Sequence, residues 1–128
     1  MANKLKYKFL LITLVSISPV FSYATEMSHS YQDCIKKAYG QNDYLHCITS
    51  EIKRQDKRLN DNYQSALNSI EEFRKKDLRS VQRVWIKYRD AKCSFFHHMH
   101  GGSGSLVDEQ QCVLEETIRR ANELEQLF

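Results

Sequence analysis

The stretch VWIKYRDAKC, residues 84–93, decides the fold of this chain. It places Trp85, Arg89 and Cys93 four residues apart, which is the spacing of one face of an α-helix. On a helical wheel Arg89 lies on this apolar face, whereas Asp90 points well away from it. The full face consists of Leu78, Val81, Gln82, Trp85, Tyr88, Arg89, Cys93 and Phe96.

The guanidinium of Arg89 needs a partner, because an unpaired charge on a buried face is very costly. If this helix and the one before it form an antiparallel hairpin that turns within 67–77, Arg89 lies level with some residue of 48–61. Asp56 and Asn60 fall in that interval, and a carboxylate suits the fork of an arginine. We therefore predict that Arg89 pairs with Asp56 or hydrogen-bonds to Asn60.

The neighbouring side chains allow a structural and a functional interpretation. In the structural one, Trp85 and Tyr63 cover the guanidinium of Arg89. In the functional one, Arg89 grips a carboxylate of a ligand while Trp85 and Tyr88 stack on a sugar or an aromatic group. Buried polar groups on helices are mostly satisfied inside the fold, which favours the structural interpretation. The predicted structural polar core is Asp56, Asn60, Tyr63, Gln82, Trp85 and Arg89.

Proline and glycine are rare enough to predict a mostly helical chain. The only Pro is Pro19, and the chain has four Gly. A first short helix is expected over 31–39, ended by Gly40. Asn42 or Asp43 is then expected to cap a second helix.

The remaining boundaries are set by a glycine-rich stretch and by one uncertain turn. Residues 97–105 are expected to be a flexible loop, followed by a last helix from about residue 108. A turn is expected within 67–77, where 69–72 match a capping box; a single helix over 43–98 is the alternative. The predicted fold is all-α: a small disulfide-stapled bundle of about four helices with a long antiparallel helical hairpin.

The N-terminus has the pattern of a secretory signal peptide over residues 1–24. Three Lys precede an apolar run over 9–21, and Ser22 and Ala24 suit a cleavage site. A membrane anchor is the alternative, but the run is short of the ~20 residues of a span. Cleavage removes three Lys and no acid, so the net charge of +3 falls to zero. The remaining domain, 25–128, thus has no basic excess for nucleic-acid binding.

All four cysteines lie after this segment, at Cys34, Cys47, Cys93 and Cys112. An even number of Cys in a short exported chain is typical of a disulfide framework. Of the three possible pairings we favour Cys34–Cys47 and Cys93–Cys112, because each pair flanks a predicted turn. Zinc is the alternative, but the spacing lacks a close C-x-x-C pair.

No motif of a catalytic site is present. His97, His98 and His100 resemble metal ligands, but no carboxylate completes an obvious set. Ser103 and Ser105 lie in a Gly loop that lacks the phosphate-binding pattern and follows no strand. We therefore predict no catalytic residue, no metal and no cofactor.

Two ordered blocks resemble the LprI-like lysozyme-inhibitor N-terminal domain family. They are D-x-x-L-N-x-x-Y from Asp56 and Q-x-x-W-I-x-Y-R-D-x-x-C from Gln82, followed by a Gly-Gly-Ser loop. The resemblance extends from Cys34 to Leu124. It implies a small exported bacterial protein, periplasmic or secreted and of the Gram-negative type. It also implies a partner, a lysozyme-type glycosidase or another cell-wall hydrolase.

Two classes of function follow from this resemblance. In the first, the protein inhibits the hydrolase: a loop pinned at its base by Cys93–Cys112 enters a cleft that holds two catalytic carboxylates. An immunity protein against a secreted hydrolase is a version of this class. In the second, it is a structural or adaptor protein of the envelope with no enzyme target, and the loop only connects two helices. The loop residues expected to bind the target are His98, His100, Ser103 and Ser105.

Overall fold

The computed structural model describes residues 27–100, 102 and 104–127, with only the backbone at position 100. The predicted signal peptide lies outside the described residues. The described part contains no strand, which confirms the all-α prediction, and none of its helices has the length and apolar character of a membrane span. The helices are α1 (His29–Lys37), α2 (Gln41–Ser69), α3 (Glu72–His100) and α4 (Ser105–Gln126).

The first two helices begin with different caps. Before α1, the hydroxyl of Ser28 accepts a hydrogen bond from a backbone N–H of the first turn. Before α2, Gly40 has φ +84°, a left-handed conformation that favours glycine. The predicted capping of α2 by Asn42 or Asp43 is wrong, because both lie inside the first turn. The carboxylate of Asp43 instead accepts the N–H of Tyr39 at 2.9 Å.

A short turn separates α2 from α3. Helix α2 ends at Ser69 and α3 begins at Glu72, so the turn lies inside the predicted interval 67–77. Ile70, between them, is extended with φ −102° and ψ 156°. The hydroxyl of Ser69 donates back to a carbonyl one turn earlier in α2, so the predicted capping box does not form.

Helix α4 lies at the centre of the bundle, and both α2 and α3 pack mainly against it. Its buried apolar side chains belong to two clusters. The first cluster contains Tyr31, Cys47, Ile48, Leu114 and Ile118. The second contains Leu59, Ala66, Ala121 and Leu124. Residue numbers rise together on α2 and α4 from the first cluster to the second, so these helices run parallel.

Helix α3 runs antiparallel to α4. Cys93 is bonded to Cys112, and Gln82 hydrogen-bonds to Arg120, so residue numbers fall on α3 as they rise on α4. Because α2 runs parallel to α4, helices α2 and α3 run antiparallel to each other, as in the predicted hairpin, with α4 packed against both. Trp85 of α3 packs against the second cluster and so helps to close the bundle.

Both favoured disulfides are confirmed. Cys34–Cys47 joins α1 to α2, and Cys93–Cys112 joins α3 to α4, with Cα–Cα distances of 5.7 and 5.4 Å. These distances lie in the usual range for disulfides. No described cysteine is free, so the zinc alternative is excluded for these thiols.

The connection between α3 and α4 is shorter than predicted. The sequence predicted a loop over 97–105, whereas α3 continues through His100 and α4 begins at Ser105. The last turns of α3 stay helical because they are held against α4 by the second disulfide and by a close side-chain contact. In that contact Nδ1 of His97 lies 2.9 Å from Oε2 of Glu109.

Candidate functional site

A buried polar contact between α3 and α4 is centred on Arg120. Its Nε donates to Oε1 of Gln82 at 3.0 Å, and its Nη1 donates to Oε2 of Glu123 at 2.9 Å. Arg120 is only 8% exposed. Its guanidinium carbon lies 5.9 Å from the ring centroid of Trp85. The interior cation of this bundle is therefore on α4.

The predicted pairing of Arg89 is wrong. Its Nε and Nη2 donate to Oδ1 of Asp90 at 2.9 and 2.8 Å. Asp56 instead accepts a hydrogen bond of 3.2 Å from Asn60, and both are exposed on α2. The physical reason is that α4 fills the space between α2 and α3, so Arg89 turns along its own helix to the nearest carboxylate.

Trp85 contacts two guanidinium groups. The guanidinium carbon of Arg89 lies 5.2 Å from its ring centroid, and that of Arg120 lies 5.9 Å from it. Both are within the range of cation–π attraction. Trp85 thus lies against Arg89 as predicted. Tyr63 packs against the second cluster, and its contact with Arg89 stays a prediction.

Sequence reasoning missed the central role of Arg120. The signal was present, because Arg120 lies three residues after Thr117 and four before Leu124, which is the spacing of one helix face. A guanidinium on such a face needs a hydrogen-bond acceptor inside the fold. The sequence prediction instead made Arg89 of α3 the interior cation and placed its partner on α2.

Glu51 is a fully buried carboxylate that ties the start of α1 to α2. It accepts hydrogen bonds from N and Oγ of Ser28 at 2.9 and 2.6 Å, and from Gln55 and Arg54 at 2.8 Å each. Burial alone would raise its pKa. The hydrogen bonds from Gln55, Ser28 and Arg54 outweigh burial and lower the pKa to about 2. Glu51 therefore stays ionised.

Glu116 is a second buried carboxylate, between α3 and α4. It accepts a hydrogen bond of 2.6 Å from Nζ of Lys92 and another from Arg119. Burial opposes ionisation, but these cations lower the pKa of Glu116, and the bond to Glu116 raises the pKa of Lys92. A general acid or base works best with a pKa near the working pH. The pKa values of Glu51 and Glu116 are instead lowered, away from neutral pH.

The predicted target-binding residues lie around the connection between α3 and α4. His98 is exposed, and its ring meets that of His97 edge to face at 5.3 Å. The side chain of His100 and all of Ser103 lie outside the described residues. Ser105 is buried and its hydroxyl donates to the carbonyl of Gly102 at 2.8 Å. In the chain by itself the turn therefore engages the proton of Ser105, and the contact of these residues with a target stays a prediction.

No group of three or more His, Cys, Asp or Glu side chains within the described ranges is arranged to hold a metal ion.

Comparison with known proteins gives a family. Residues 32–124, which are 93 of the 128 residues, match the family described as lysozyme inhibitor LprI. The chain belongs to the lysozyme inhibitor LprI family. It is also similar to an uncharacterized protein of Rhizobium meliloti strain 1021, with 28% identity over 110 residues, 75% of this chain and 78% of that protein. No solved structure matches the chain.

The part that matches LprI contains the features that hold this bundle together. It includes both disulfides, the contact between Gln82 and Arg120, and the contacts of Trp85. It also includes the connection between α3 and α4. LprI is described as a family of lysozyme inhibitors.

Proposed function

We propose that this protein is an exported binding protein that inhibits a lysozyme-type glycosidase or another peptidoglycan hydrolase. The observation that carries the proposal is the match to the lysozyme inhibitor LprI family over residues 32–124. Two disulfides suit an oxidising compartment. The signal-peptide pattern of residues 1–24 supplies the export route. The protein then works in the periplasm or outside a bacterium of the Gram-negative type.

The protein acts by binding and does not catalyse a reaction. Glu51 and Glu116 are held ionised by hydrogen-bond donors, so neither supplies a proton near neutral pH. All four thiols are in disulfides and supply no nucleophile. These features support inhibition by occupation of the enzyme.

The contact is made by the connection between α3 and α4. A glycosidase cleft holds two catalytic carboxylates, which accept hydrogen bonds from inserted donors. His98 is exposed near the end of α3, and His100 and Ser103 follow it two and five residues later in the sequence. The Cys93–Cys112 disulfide supports this role because it fixes the base of the connection, and a fixed segment loses less entropy on binding.

A cell-wall lysis assay tests the proposal. The purified protein, with both disulfides formed, is added to lysozymes of several classes and the rate of lysis is measured. We expect inhibition of at least one class. The triple variant His98→Ala/His100→Ala/Ser103→Ala is expected to lose it.

The control is Asp56→Ala/Asn60→Ala, which changes two exposed polar residues of α2 and should inhibit like the unmodified protein. Lysis that continues unchanged at micromolar protein for every class would contradict the proposal.

The second candidate function is a structural or adaptor protein of the bacterial envelope. It is favoured by the large apolar side chains that α3 exposes along one side. In that case lysis is never inhibited, and the protein co-purifies from the envelope with a partner that is not a hydrolase.

A further inference from the structure

Helix α3 exposes a row of large apolar side chains, which we call the outer stripe. Each of its members is between 49% and 71% exposed. On a wheel at ~100° per residue they fall within an arc of about 80°. The outer stripe consists of Phe73, Val81, Val84, Tyr88, Phe95 and Met99.

The outer stripe is separate from the packing face of α3. The residues that meet α4, such as Gln82 and Cys93, are buried and lie on another side of the helix. Trp85 also turns towards the bundle, where it packs on the second cluster. The apolar surface of the outer stripe is therefore not explained by the core of this fold.

Positive charge is concentrated on the same helix. The sequence of α3 contains eight Lys and Arg against three Asp and Glu, whereas α4 contains two against six. Exposed basic side chains lie on both sides of the outer stripe: Lys76 and Lys87 on one side and Arg74 on the other. Lys92, on the same side as Arg74, is bonded to Glu116 of α4. Lys76 and Lys87 are exposed, and no described carboxylate lies within ion-pair distance of either.

We propose that the outer stripe of α3 binds the surface of an anionic phospholipid bilayer. A helix that lies in a membrane interface has apolar and aromatic side chains on one face and Lys or Arg beside them. The lysine stems cover apolar surface while their ammonium groups reach the lipid phosphates. The outer stripe extends from Phe73 to Met99, about 39 Å along the helix, and exposed Asp77 is the carboxylate that lies in the same arc, between Phe73 and Val81.

The charge of the helix favours a lipid surface over a second copy of the chain. Two α3 helices placed stripe to stripe would bring two basic surfaces together, and like charges oppose such contact. Each Lys or Arg near an acidic bilayer instead makes binding of the protein to that bilayer more favourable. The proposal goes beyond enzyme inhibition and does not depend on it.

Vesicle co-sedimentation tests the proposal with the purified, disulfide-bonded protein. We expect it to sediment with vesicles of phosphatidylglycerol mixed with phosphatidylcholine, and several-fold less with phosphatidylcholine alone. Added salt should weaken the binding, because it screens exposed charges. The double variant Lys76→Gln/Lys87→Gln is expected to bind the anionic vesicles about 30-fold more weakly, at about a five-fold loss for each lysine.

Two matched controls separate the outer stripe from general charge and hydrophobicity. Lys37→Gln/Lys53→Gln removes the same charge from exposed positions of α1 and α2 and should bind like the unmodified protein. Tyr88→Ala should bind several-fold more weakly. Tyr39→Ala should not, although Tyr39 is 94% exposed. Circular dichroism checks that each variant stays helical.

Several results would overturn the proposal. Absence of binding to anionic vesicles, or equal binding to both kinds of vesicle, would each do so. Equal losses of vesicle binding in the outer-stripe variants and in their controls would also overturn it. A dimer that Tyr88→Ala dissociates, in protein without affinity for vesicles, would assign the outer stripe to a second copy of the chain. Each of these results is independent of the lysis assay.

Discussion

Arg120 of α4 and Gln82 of α3 are both buried, and a hydrogen bond of 3.0 Å joins Nε of the first to Oε1 of the second. This guanidinium also donates to Glu123 through Nη1, and its Nη2 is buried without a partner among the described residues. A guanidinium with so few acceptors depends strongly on each of them.

Loss of the Gln82 side chain should therefore destabilise the protein. We expect Gln82→Ala to lower the free energy of unfolding by about 1–3 kcal/mol, because it leaves a buried N–H of Arg120 without an acceptor. Urea denaturation followed by circular dichroism measures this. Asn60→Ala is the control, since Asn60 is exposed, and should stay within about 0.5 kcal/mol of the unmodified protein. Equal effects of the two variants would refute this role of Gln82.

Double-mutant cycles should locate the interior contact of the arginines. We expect a coupling free energy of about 0.5–3 kcal/mol between Gln82 and Arg120, because they are in direct contact. For Asp56 and Arg89 we expect none, because Arg89 is bonded to Asp90. Coupling of the second pair but not the first would restore the arrangement expected from the sequence.

The two arginines show where sequence reasoning succeeded and where it failed. Helical spacing placed Trp85, Arg89 and Cys93 on one face, and the cation–π contact and the disulfide agree with that placement. Spacing within one helix says nothing about which other helix lies opposite. Because α4 is the central helix and lies between α2 and α3, the acceptor predicted for Arg89 on α2 was wrong. The buried arginine of the bundle is Arg120 of α4.

The ends of helices were predicted less well than their faces. Gly40 does precede α2, but as its cap and not as the end of a helix that reaches residue 39. Glycine composition predicted a loop from His97 onwards, although the contact of His97 with Glu109 and a nearby disulfide keep that segment helical. Such contacts join residues distant in sequence, so local composition could not show them.

The buried carboxylate of Glu51 should make stability depend on acid pH. Its pKa in the folded protein is about 2, below the ordinary value of 4.5. Its contribution is therefore complete above about pH 4.5 and is lost as the pH falls towards 2. A shift of this size corresponds to about 3 kcal/mol at neutral pH.

Unfolding free energies measured across this pH range test the contribution of Glu51. The unmodified protein should lose stability steadily between about pH 5 and pH 2. Glu51→Gln should be less stable at pH 7 and show a clearly flatter profile, with the remaining slope due to groups such as Glu116. Asp61→Asn, at an exposed carboxylate of α2, should keep the original profile. A Glu51→Gln profile as steep as the original would contradict the assignment.

The two disulfides should contribute similarly to stability but differently to inhibition. They span 13 and 19 residues, and loops of this size correspond to about 3 kcal/mol each. Replacing Cys93 and Cys112 by Ala should also weaken inhibition, because it frees the base of the α3–α4 connection. Replacing Cys34 and Cys47 by Ala should leave inhibition intact wherever the variant is folded. Thermal unfolding and the lysis assay give the two readouts, and equal loss of inhibition in both variants would remove the proposed role of the connection.

Titration calorimetry with a lysozyme that this protein inhibits measures the proposed contact most directly. The titration is run with the free enzyme and with the enzyme whose cleft is filled by a peptidoglycan-type oligosaccharide. We predict one-to-one binding to the free enzyme and loss of the binding heat when the cleft is occupied. Absence of binding to lysozymes of every class, or binding that the oligosaccharide leaves unchanged, would contradict inhibition through the cleft.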